Sequence, residues 1–301
     1  MPICEADPWR RQYFSAVECP PHVNIPTEDF DAWAWYPNER WVYDKLAVAH
    51  SQGLVAGPHG TTPPRFPVFS KPIMNLKGMG IGSRVMRTAR EYERNYRAGH
   101  MWMPLLEGRH VSSDVAVVKG RPCWWRHVTG KPGGGGTFDY WTVHAAPEPD
   151  IEERCGAWIH RHLPNYSGML NLETIAGTMI EVHLRMSDQW PDLYGAGWVD
   201  ALVRLYEGGF WEFDDGERRD GYSVVLFGRK GSHYRHPPRE AVDKILRRPG
   251  ISSLQITFHE GVAASHHAMP PGGFRLAVVN CWDLAAGFRV REDLQTFFAA
   301  A

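Results

Sequence analysis

The sequence contains no uninterrupted apolar run close to the ~20 residues that a membrane-spanning helix needs, so no membrane partner is expected. Its formal net charge of −1 over 301 residues argues against the broad basic surface that nucleic acids attract. Acidic residues stand near the N-terminus, where a signal peptide needs a basic run followed by an apolar one. These absences predict a cytoplasmic protein that binds neither nucleic acid nor membrane.

Cysteine is scarce, and several common site motifs are missing. The five cysteines have no metal-ligand spacing, and we interpret them as reduced thiols. Neither a Walker A pattern, nor a Rossmann GxGxxG, nor a Gly-x-Ser-x-Gly motif occurs. The composition is otherwise that of an ordinary globular protein, with 43% hydrophobic and 22% charged residues. The length suffices for one large domain or two moderate ones.

The stretch 168–185, GMLNLETIAGTMIEVHLR, predicts two short strands joined by a tight turn at Ala176-Gly177. Apolar and polar residues alternate on both sides of that turn, as in a hairpin with one buried face. Glu173 on the first strand and Glu181 on the second would then lie opposite each other. Two facing carboxylates repel each other, so the pattern suits a cation between them.

His183 and Arg185 follow Glu181 at the two-residue period of a strand and would share its face. Carboxylates, an imidazole and a guanidinium on one face suit a divalent metal that bridges anionic oxygens, with the arginine holding another anion. A solvated sheet face with salt bridges is the alternative, and this stretch alone does not decide between them.

Two lysines precede this hairpin on predicted regular elements. Residues 39–52 predict one helix that stops at Gly53 and carries Lys45. The segment FPVFSKPI predicts a strand that carries Lys71.

A glycine-rich loop, NLKGMGIGSRV, follows the strand. Its glycines at 78, 80 and 82 can direct backbone N–H groups at a phosphate, and Ser83 adds a hydroxyl donor. A turn without a ligand is the alternative. A second glycine-rich tip, KPGGGGTF at 131–138, could close over a substrate or serve only as a connection.

The remaining pattern mixes helices and strands. The run 100–106 predicts an apolar strand, a hairpin turns at Lys119-Gly120, and 149–162 predicts a helix. Residues 1–43, rich in proline and aromatic residues, are expected to form a short, irregular N-terminal segment, with a strand at its centre as an option. Hairpins together with helices indicate the α+β class.

The order of these parts resembles the ATP-grasp superfamily of ATP-dependent carboxylate ligases. A helix lysine comes first, then a strand lysine, a glycine-rich loop, an apolar run ending in Glu-Gly, and paired acidic strands. The pattern is most similar to the biotin carboxylase and carbamoyl phosphate synthetase group, whose acidic strand reads E-x-N-x-R. The corresponding residues of this sequence are EVHLR, followed by MSDQWPDLYGAGWVDALVRLYEGG. The resemblance covers about residues 40–215.

The resemblance implies an ATP-grasp fold, in which two α+β subdomains sandwich the nucleotide. Residues 1–44 would be a truncated N-terminal segment. The ATP-grasp core would span 45–215, with a small lid subdomain at about 60–102 and a large subdomain at about 103–215. Residues 216–301 would complete the large subdomain.

The resemblance also implies a nucleotide site. The two lysines would bind phosphates, the glycine loop would close over them, and adenine would stack in an apolar slot. The carbonyl of Pro104 and the N–H of Leu106 would hydrogen-bond the base. A histidine falls where the family often has a ribose-binding glutamate. The implied nucleotide-binding residues are Lys45, Lys71, Gly78, Gly80, Gly82, Ser83, Met103, Pro104, Leu105, Leu106 and His110.

By the same resemblance, the hairpin residues would bind the metal and take part in catalysis. Glu173, Glu181 and His183 would hold Mg²⁺, or else Mn²⁺, beside the ATP phosphates. Arg185 would act in catalysis with His183 by holding the substrate carboxylate or the transferring phosphoryl group. His183 replaces the usual asparagine, and imidazole is a poorer ligand for Mg²⁺ than an amide oxygen.

The implied activity is that of an ATP- and Mg²⁺-dependent ligase. It would activate a carboxylate as an acylphosphate and join it to an amine or another nucleophile. Two alternatives stay open: a phosphotransferase with an alcohol acceptor, and a nucleotide-binding protein without turnover. The expected partners are small-molecule carboxylate and amine substrates, and a homodimer is left open.

Overall fold

The computed structural model describes residues 8–76, 80, 82–133, 137–228, 232–262 and 274–299. Gly78 and the glycines 134–136 of the second glycine-rich tip lie outside these residues. No helix in the described part of the chain combines the length and apolar character that crossing a bilayer requires.

The helices and strands follow in chain order. The α-helices are α1 (Pro8–Arg11), α2 (Asp29–Trp35), α3 (Lys45–Ser51), α4 (Ala89–Arg94), α5 (Pro149–His162), α6 (Trp198–Gly208), α7 (Arg239–Leu246) and α8 (Leu284–Ala299). The strands are β1 (Gly57–Pro58), β2 (Val68–Pro72), β3 (Arg84–Met86), β4 (His100–Pro104), β5 (His110–Val118), β6 (Arg121–Pro132), β7 (Phe138–His144), β8 (Gly168–Ile175), β9 (Thr178–His183), β10 (Gly221–Gly228), β11 (Ile251–Ile256) and β12 (Phe274–Cys281). Short 3₁₀ helices lie at Arg40–Tyr43 and Pro191–Leu193.

The chain divides into two compact units. The first unit comprises Met1–Ile25, Arg126–Pro147 and Ser187–Ala301, and the second comprises Pro26–Trp125 and Glu148–Met186. The subdomain bounds implied by the resemblance stay predictions.

The second unit holds two groups of strands. One is a four-stranded antiparallel sheet in the order β1-β4-β2-β3. The other has β5, β8 and β9 as successive neighbours, with only the first residues of β6, up to Trp125, belonging to this unit beside β5. Helix α5 covers one face of the latter, and Leu172 and Val182 are buried there with Trp158. Burying one such leucine contributes about 1.5–3 kcal/mol.

The β8–β9 hairpin has the predicted turn. Ile175 pairs with Thr178, and Ala176 and Gly177 both have positive φ, at 49° and 77°. A two-residue turn with positive φ at both positions matches the twist of its strands. The ladder contains a β-bulge, because Thr174 pairs with Met179 while Glu173 pairs with Glu181. The residue between those two on β9 is therefore extra, and its backbone carbonyl can serve another partner.

The open edge of β9 is closed by a side chain from the end of α3. Gln52 donates from Nε2 to the carbonyl of Met179 at 2.7 Å and accepts from the Met179 N–H at 3.0 Å. Its amide thus imitates a neighbouring strand at the position beside the bulge.

Two local predictions were wrong. The single helix expected over residues 39–52 is divided into a 3₁₀ helix and α3, because Asp44 adopts an extended conformation between them. Its carboxylate accepts the N–H groups of Leu46 and Ala47, which makes it the N-cap of α3. The N-terminal segment is also not irregular throughout, since it contains α1 and α2.

The first unit arranges its strands in the order β11-β12-β10-β7-β6. Helix α8 packs on β10 and β12 around a core that includes Val224, Leu276 and Leu294.

A buried group of uncharged polar side chains lies within this first unit, and we call it the neutral network. Gln255 donates from Nε2 to the hydroxyl of Tyr13 and to the carbonyl of Gln189, at 2.6 Å each. Asn280 donates to that carbonyl at 2.8 Å, and Gln189 donates to Ser223 at 2.9 Å. Hydrogen bonding of this kind lets polar groups stay inside a core.

Candidate functional site

One face of the β8–β9 hairpin collects the acidic residues and the histidine. Glu173 pairs with Glu181 across the hairpin, and Asn171 pairs with His183, which confirms the predicted juxtaposition. One ligand atom each from Glu173, Glu181 and His183 lies within 4.8 Å of the others. The Nε2 atom of His183 is 3.8 Å from Oε1 of Glu181.

Both predicted lysines lie beside these acids, and both are buried. Lys45 is the first residue of α3, where the Asp44 cap fixes the start of the helix, and its Nζ is 2.9 Å from Oε1 of Glu181. Lys71 on β2 donates from Nζ to the carbonyl of Ile180 at 2.6 Å. Ile180 is the extra residue of the β-bulge, so its carbonyl is available to the lysine.

The pKa of Lys71 is lowered to about 8. Burial is the main cause, since the ammonium group loses its hydration; the charge of Glu181 opposes the shift, and that of Lys45 adds to it. Lys71 is therefore a buried cation close to its point of deprotonation.

His110 starts β5 and forms an ion pair with Glu173, its Nε2 lying 3.1 Å from Oε2. Burial alone would lower the pKa of His110, but the Glu173 carboxylate outweighs burial and raises it. Burial alone would raise the pKa of Glu173, but His110, His183 and Lys71 outweigh burial and lower it. This glutamate is consequently held ionised.

The sequence did not identify Asp29, the first residue of α2, as part of this site. Its carboxylate is buried and lies 3.0 and 3.1 Å from Nδ1 of His183. Arg185 places Nε 2.8 Å from one oxygen and Nη2 3.0 Å from the other, and the hydroxyl of Tyr43 donates at 3.1 Å. The signal available in the sequence was that two neighbouring basic side chains, His183 and Arg185, both needed an acidic partner.

Asp29 shifts the pKa values around it. Burial would raise the pKa of Asp29, but His183 and Arg185 outweigh burial and lower it well below the ordinary range. Burial would lower the pKa of His183, but Asp29 outweighs burial and raises it. We call the whole group the charged cluster: Asp29, Lys45, Lys71, Glu173, Glu181, His183 and Arg185.

A packed cluster of apolar side chains adjoins the lysine strand, at the position where the resemblance implies the adenine slot; we call it the apolar slot. Met103 on β4 is buried and shares a cluster with Met101 and with the half-buried Leu106 and Ile180. Lys71 pairs with Met101 in the ladder between β2 and β4, so the slot and the cation are next to each other. Two further residues of the implied adenine site, Pro104 and Leu105, are half-buried.

The described part of the glycine loop forms a turn. Gly80 and Gly82 have φ values of +59° and +83°, which favour glycine, and the N–H of Ser83 donates to the carbonyl of Gly80 at 3.1 Å. This turn agrees with either prediction for the loop, so its role in phosphate binding stays a prediction.

Comparison with known proteins gives matches in structure but not in sequence. No family model matches the chain, and no curated protein sequence matches it. The L-amino acid ligase from Bacillus licheniformis superposes with a TM-score of 0.57 at 13% identity, over 90% of this chain and 73% of that one. N5-carboxyaminoimidazole ribonucleotide synthetase from Thermus thermophilus also gives 0.57, at 16% identity, over 86% and 73%.

A third similar structure is the biotin carboxylase domain of Hydrogenobacter thermophilus 2-oxoglutarate carboxylase, in complex with MgADP, ADP and bicarbonate. Its TM-score is 0.53 at 17% identity, over 77% of this chain and 57% of that one. All three are ATP-grasp ligases. The likeness shows that this chain has the α+β ATP-grasp fold, as the sequence predicted.

Proposed function

We propose that this ATP-grasp chain is an ATP-dependent ligase that activates a carboxylate as an acylphosphate and joins it to an amine. The observation that carries the proposal is the charged cluster beside an apolar slot within one unit. Buried ionised groups are expensive to desolvate, and neutral residues of similar volume often stabilise a core as well or better. A cluster of seven ionisable side chains, four of them buried and three half-buried, is therefore better explained by a ligand than by packing.

The proposed nucleotide site uses two kinds of surface. The apolar slot around Met103 and Leu106 would take adenine. Lys45 and Lys71 would turn from Glu181 and from the Ile180 carbonyl to the phosphates, which they bind as point charges. Both lysines are within one unit with the slot, so base and phosphate contacts need no further element.

The hairpin carboxylates fit a divalent cation. Glu173 and Glu181 offer hard oxygen ligands, held ionised at neutral pH in the case of Glu173. When bound, such a cation neutralises negative charge on the β- and γ-phosphates. The role of the chain itself is to hold these oxygens at fixed positions, while the charge of Glu181 opposes the effect of burial on the pKa of Lys71.

Arg185 is assigned to the anion that reacts. Its guanidinium presents a planar fork that matches a carboxylate, and Asp29 occupies that fork in this structure. A substrate carboxylate or the transferring phosphoryl group would therefore compete with Asp29 for Arg185. We assign the amine no residue, and a homodimer and a cytoplasmic location stay predictions.

Heavy-oxygen labelling tests the proposal. A carboxylate substrate that passes through an acylphosphate gives one of its oxygens to phosphate when the amine attacks the carbonyl carbon and phosphate leaves. A metabolite screen for acceptor-stimulated ADP release would supply the acid, and the labelled acid should then yield labelled inorganic phosphate. A stable phosphorylated product without free phosphate would indicate the phosphotransferase instead.

A second candidate, a nucleotide-binding protein without turnover, is favoured by one observation. Each cation of the charged cluster already has a partner within the chain, such as Glu181 for Lys45 and Asp29 for Arg185. ATP binding without ADP release, in the presence of every acid and amine tested, would support this candidate over the ligase.

A further inference from the structure

The side chain of His183 is oriented by its surroundings so that its two ring nitrogens face different groups. Nδ1 lies at hydrogen-bond distance from both oxygens of Asp29, at 3.0 and 3.1 Å. Nε2 is on the other side, 3.8 Å from Oε1 of Glu181 and grouped with Glu173 and Glu181. A histidine whose Nδ1–H donates to a carboxylate presents the lone pair of Nε2 to whatever lies beyond.

Asp29 is itself firmly held. Arg185 contacts both of its oxygens and the hydroxyl of Tyr43 donates to one of them, and these contacts orient its carboxylate toward the imidazole. A carboxylate behind a histidine that faces a cation site is the arrangement that fixes metal-binding histidines in proteins.

The ligand set that results is mixed. Two carboxylate oxygens suit Mg²⁺, Ca²⁺ or Mn²⁺, whereas an imidazole nitrogen suits first-row transition metals and is a poor ligand for Mg²⁺. Ligand atoms about 2.1 Å from a shared cation lie roughly 3 to 4.2 Å apart. The 3.8 Å between Nε2 and the Glu181 oxygen falls within that range.

We propose that the cation held by Glu173, Glu181 and His183 is a first-row transition-metal dication, bound in preference to Mg²⁺ through Nε2 of His183. Asp29 is the positioning residue of this site. The inference rests on the proposed function, because the nucleotide phosphates supply the reason for a cation between the two glutamates.

Pulsed electron paramagnetic resonance on the full chain loaded with Mn²⁺ tests the metal–nitrogen bond directly. The measurement is made with and without a non-hydrolysable ATP analogue. Modulation from a directly coordinated ¹⁴N nucleus is expected, and it should change to the ¹⁵N pattern when the histidines are labelled. His183→Asn should remove the modulation, whereas His110→Asn should keep it, although His110 lies 3.1 Å from Glu173.

Competition between Mn²⁺ and Mg²⁺ measures the metal selectivity of the site. Mn²⁺ should bind at least about tenfold more tightly than Mg²⁺, because the nitrogen ligand favours the transition metal. Asp29→Asn should weaken Mn²⁺ binding about 10- to 100-fold while the nitrogen modulation persists. Thermal unfolding of each variant checks that it is folded, and the ¹⁵N labelling of the unsubstituted chain needs no variant at all.

Three results would overturn the inference: no Mn²⁺ binding under either condition, Mn²⁺ bound without nitrogen modulation, or modulation that survives His183→Asn. None of these readouts depends on turnover. Nitrogen-coordinated Mn²⁺ in a chain that never releases ADP would therefore refute the proposed ligase and leave the metal assignment standing. Turnover with an all-oxygen Mn²⁺ site would do the reverse.

Discussion

Each unit of the molecule contains a buried polar group, and the two groups differ in kind. The neutral network of the first unit consists of amides and hydroxyls that donate to one another, to backbone carbonyls and, from Asn280, to the carboxylate of Asp192. The charged cluster of the second unit consists of acidic and basic side chains that form ion pairs, such as Lys45 with Glu181 and Arg185 with Asp29. A network of neutral hydrogen bonds positions a backbone at modest cost, whereas burying charges is expensive, and a charged ligand would supply a reason to retain them.

The pKa values express the same difference. In the neutral network burial is the leading cause of the raised pKa of Tyr13, so this phenol is held in its uncharged form. In the charged cluster, partner charges override burial at Asp29 and Glu173, and both stay ionised. The comparison predicts that substitutions in the neutral network of the first unit alter stability. Substitutions in the charged cluster of the second unit should instead alter ligand binding.

The largest effect is expected at Glu181. Glu181→Gln preserves the shape of the side chain but removes its charge, so metal-dependent ATP turnover should fall about 10²- to 10³-fold, as when one preorganised electrostatic group is lost. Steady-state ADP release measures it, and Glu292→Gln on α8 is the exposed control. Unchanged turnover in Glu181→Gln would remove the metal role of the hairpin.

The next effect concerns phosphate recognition by Lys71. Lys71→Ala should weaken ATP binding about 10- to 100-fold, the range for a hydrogen bond to a charged group, and should leave adenosine binding nearly unchanged. Calorimetric titration with both ligands separates the two contributions. Lys244→Ala, an exposed lysine on α7, is the matched control. Equal losses for ATP and adenosine would mean that Lys71 supports the fold instead.

The neutral network should respond in the opposite way. Asn280→Ala removes the donor to the Gln189 carbonyl and to Oδ1 of Asp192, so the free energy of unfolding should fall by about 1–3 kcal/mol. Urea unfolding measures this loss, and ATP affinity should not change. An Asn280→Ala variant of normal stability with weakened ATP binding would contradict the proposed difference between the two units.

The smallest effect is a pH dependence set by Lys71, whose pKa of about 8 compares with 10.5 for an ordinary lysine. Phosphate binding needs the ammonium form, so ATP affinity should decline above pH 8, by at most about tenfold per pH unit. Lys71→Arg should bind ATP with a flat profile there, because guanidinium stays charged. A profile that is equally steep in both proteins would assign the titration elsewhere.

The same shift has a consequence for stability. Between pH 8 and 10.5 the unfolded chain binds more protons at Lys71 than the folded chain does. The contribution of this lysine to the free energy of unfolding therefore rises with pH across that window, and it is lost as the pH falls towards 8. Lys71→Met should remove this contribution from the pH profile measured by urea unfolding.

The sequence predicted the hairpin and its facing glutamates because the information is local. A two-residue period and a glycine turn fix both the strands and the residues that share a face. It did not predict Asp29, whose contact with His183 spans 154 residues. The break between the 3₁₀ helix and α3 could have been predicted, since Asp44, directly before Lys45, is a common N-cap residue.

The β-bulge and the Gln52 amide together determine which residues of β9 face the site. Side chains of a strand alternate between faces, so a shift of one residue would bring Val182 to the position of Glu181 and remove a carboxylate from the cluster. Gln52 binds both backbone groups of Met179, directly beside the extra residue. The electrostatics of the site thus depend on the register of β9. The uncharged amide of Gln52 holds the strand edge in the alignment that places Glu181 opposite Glu173.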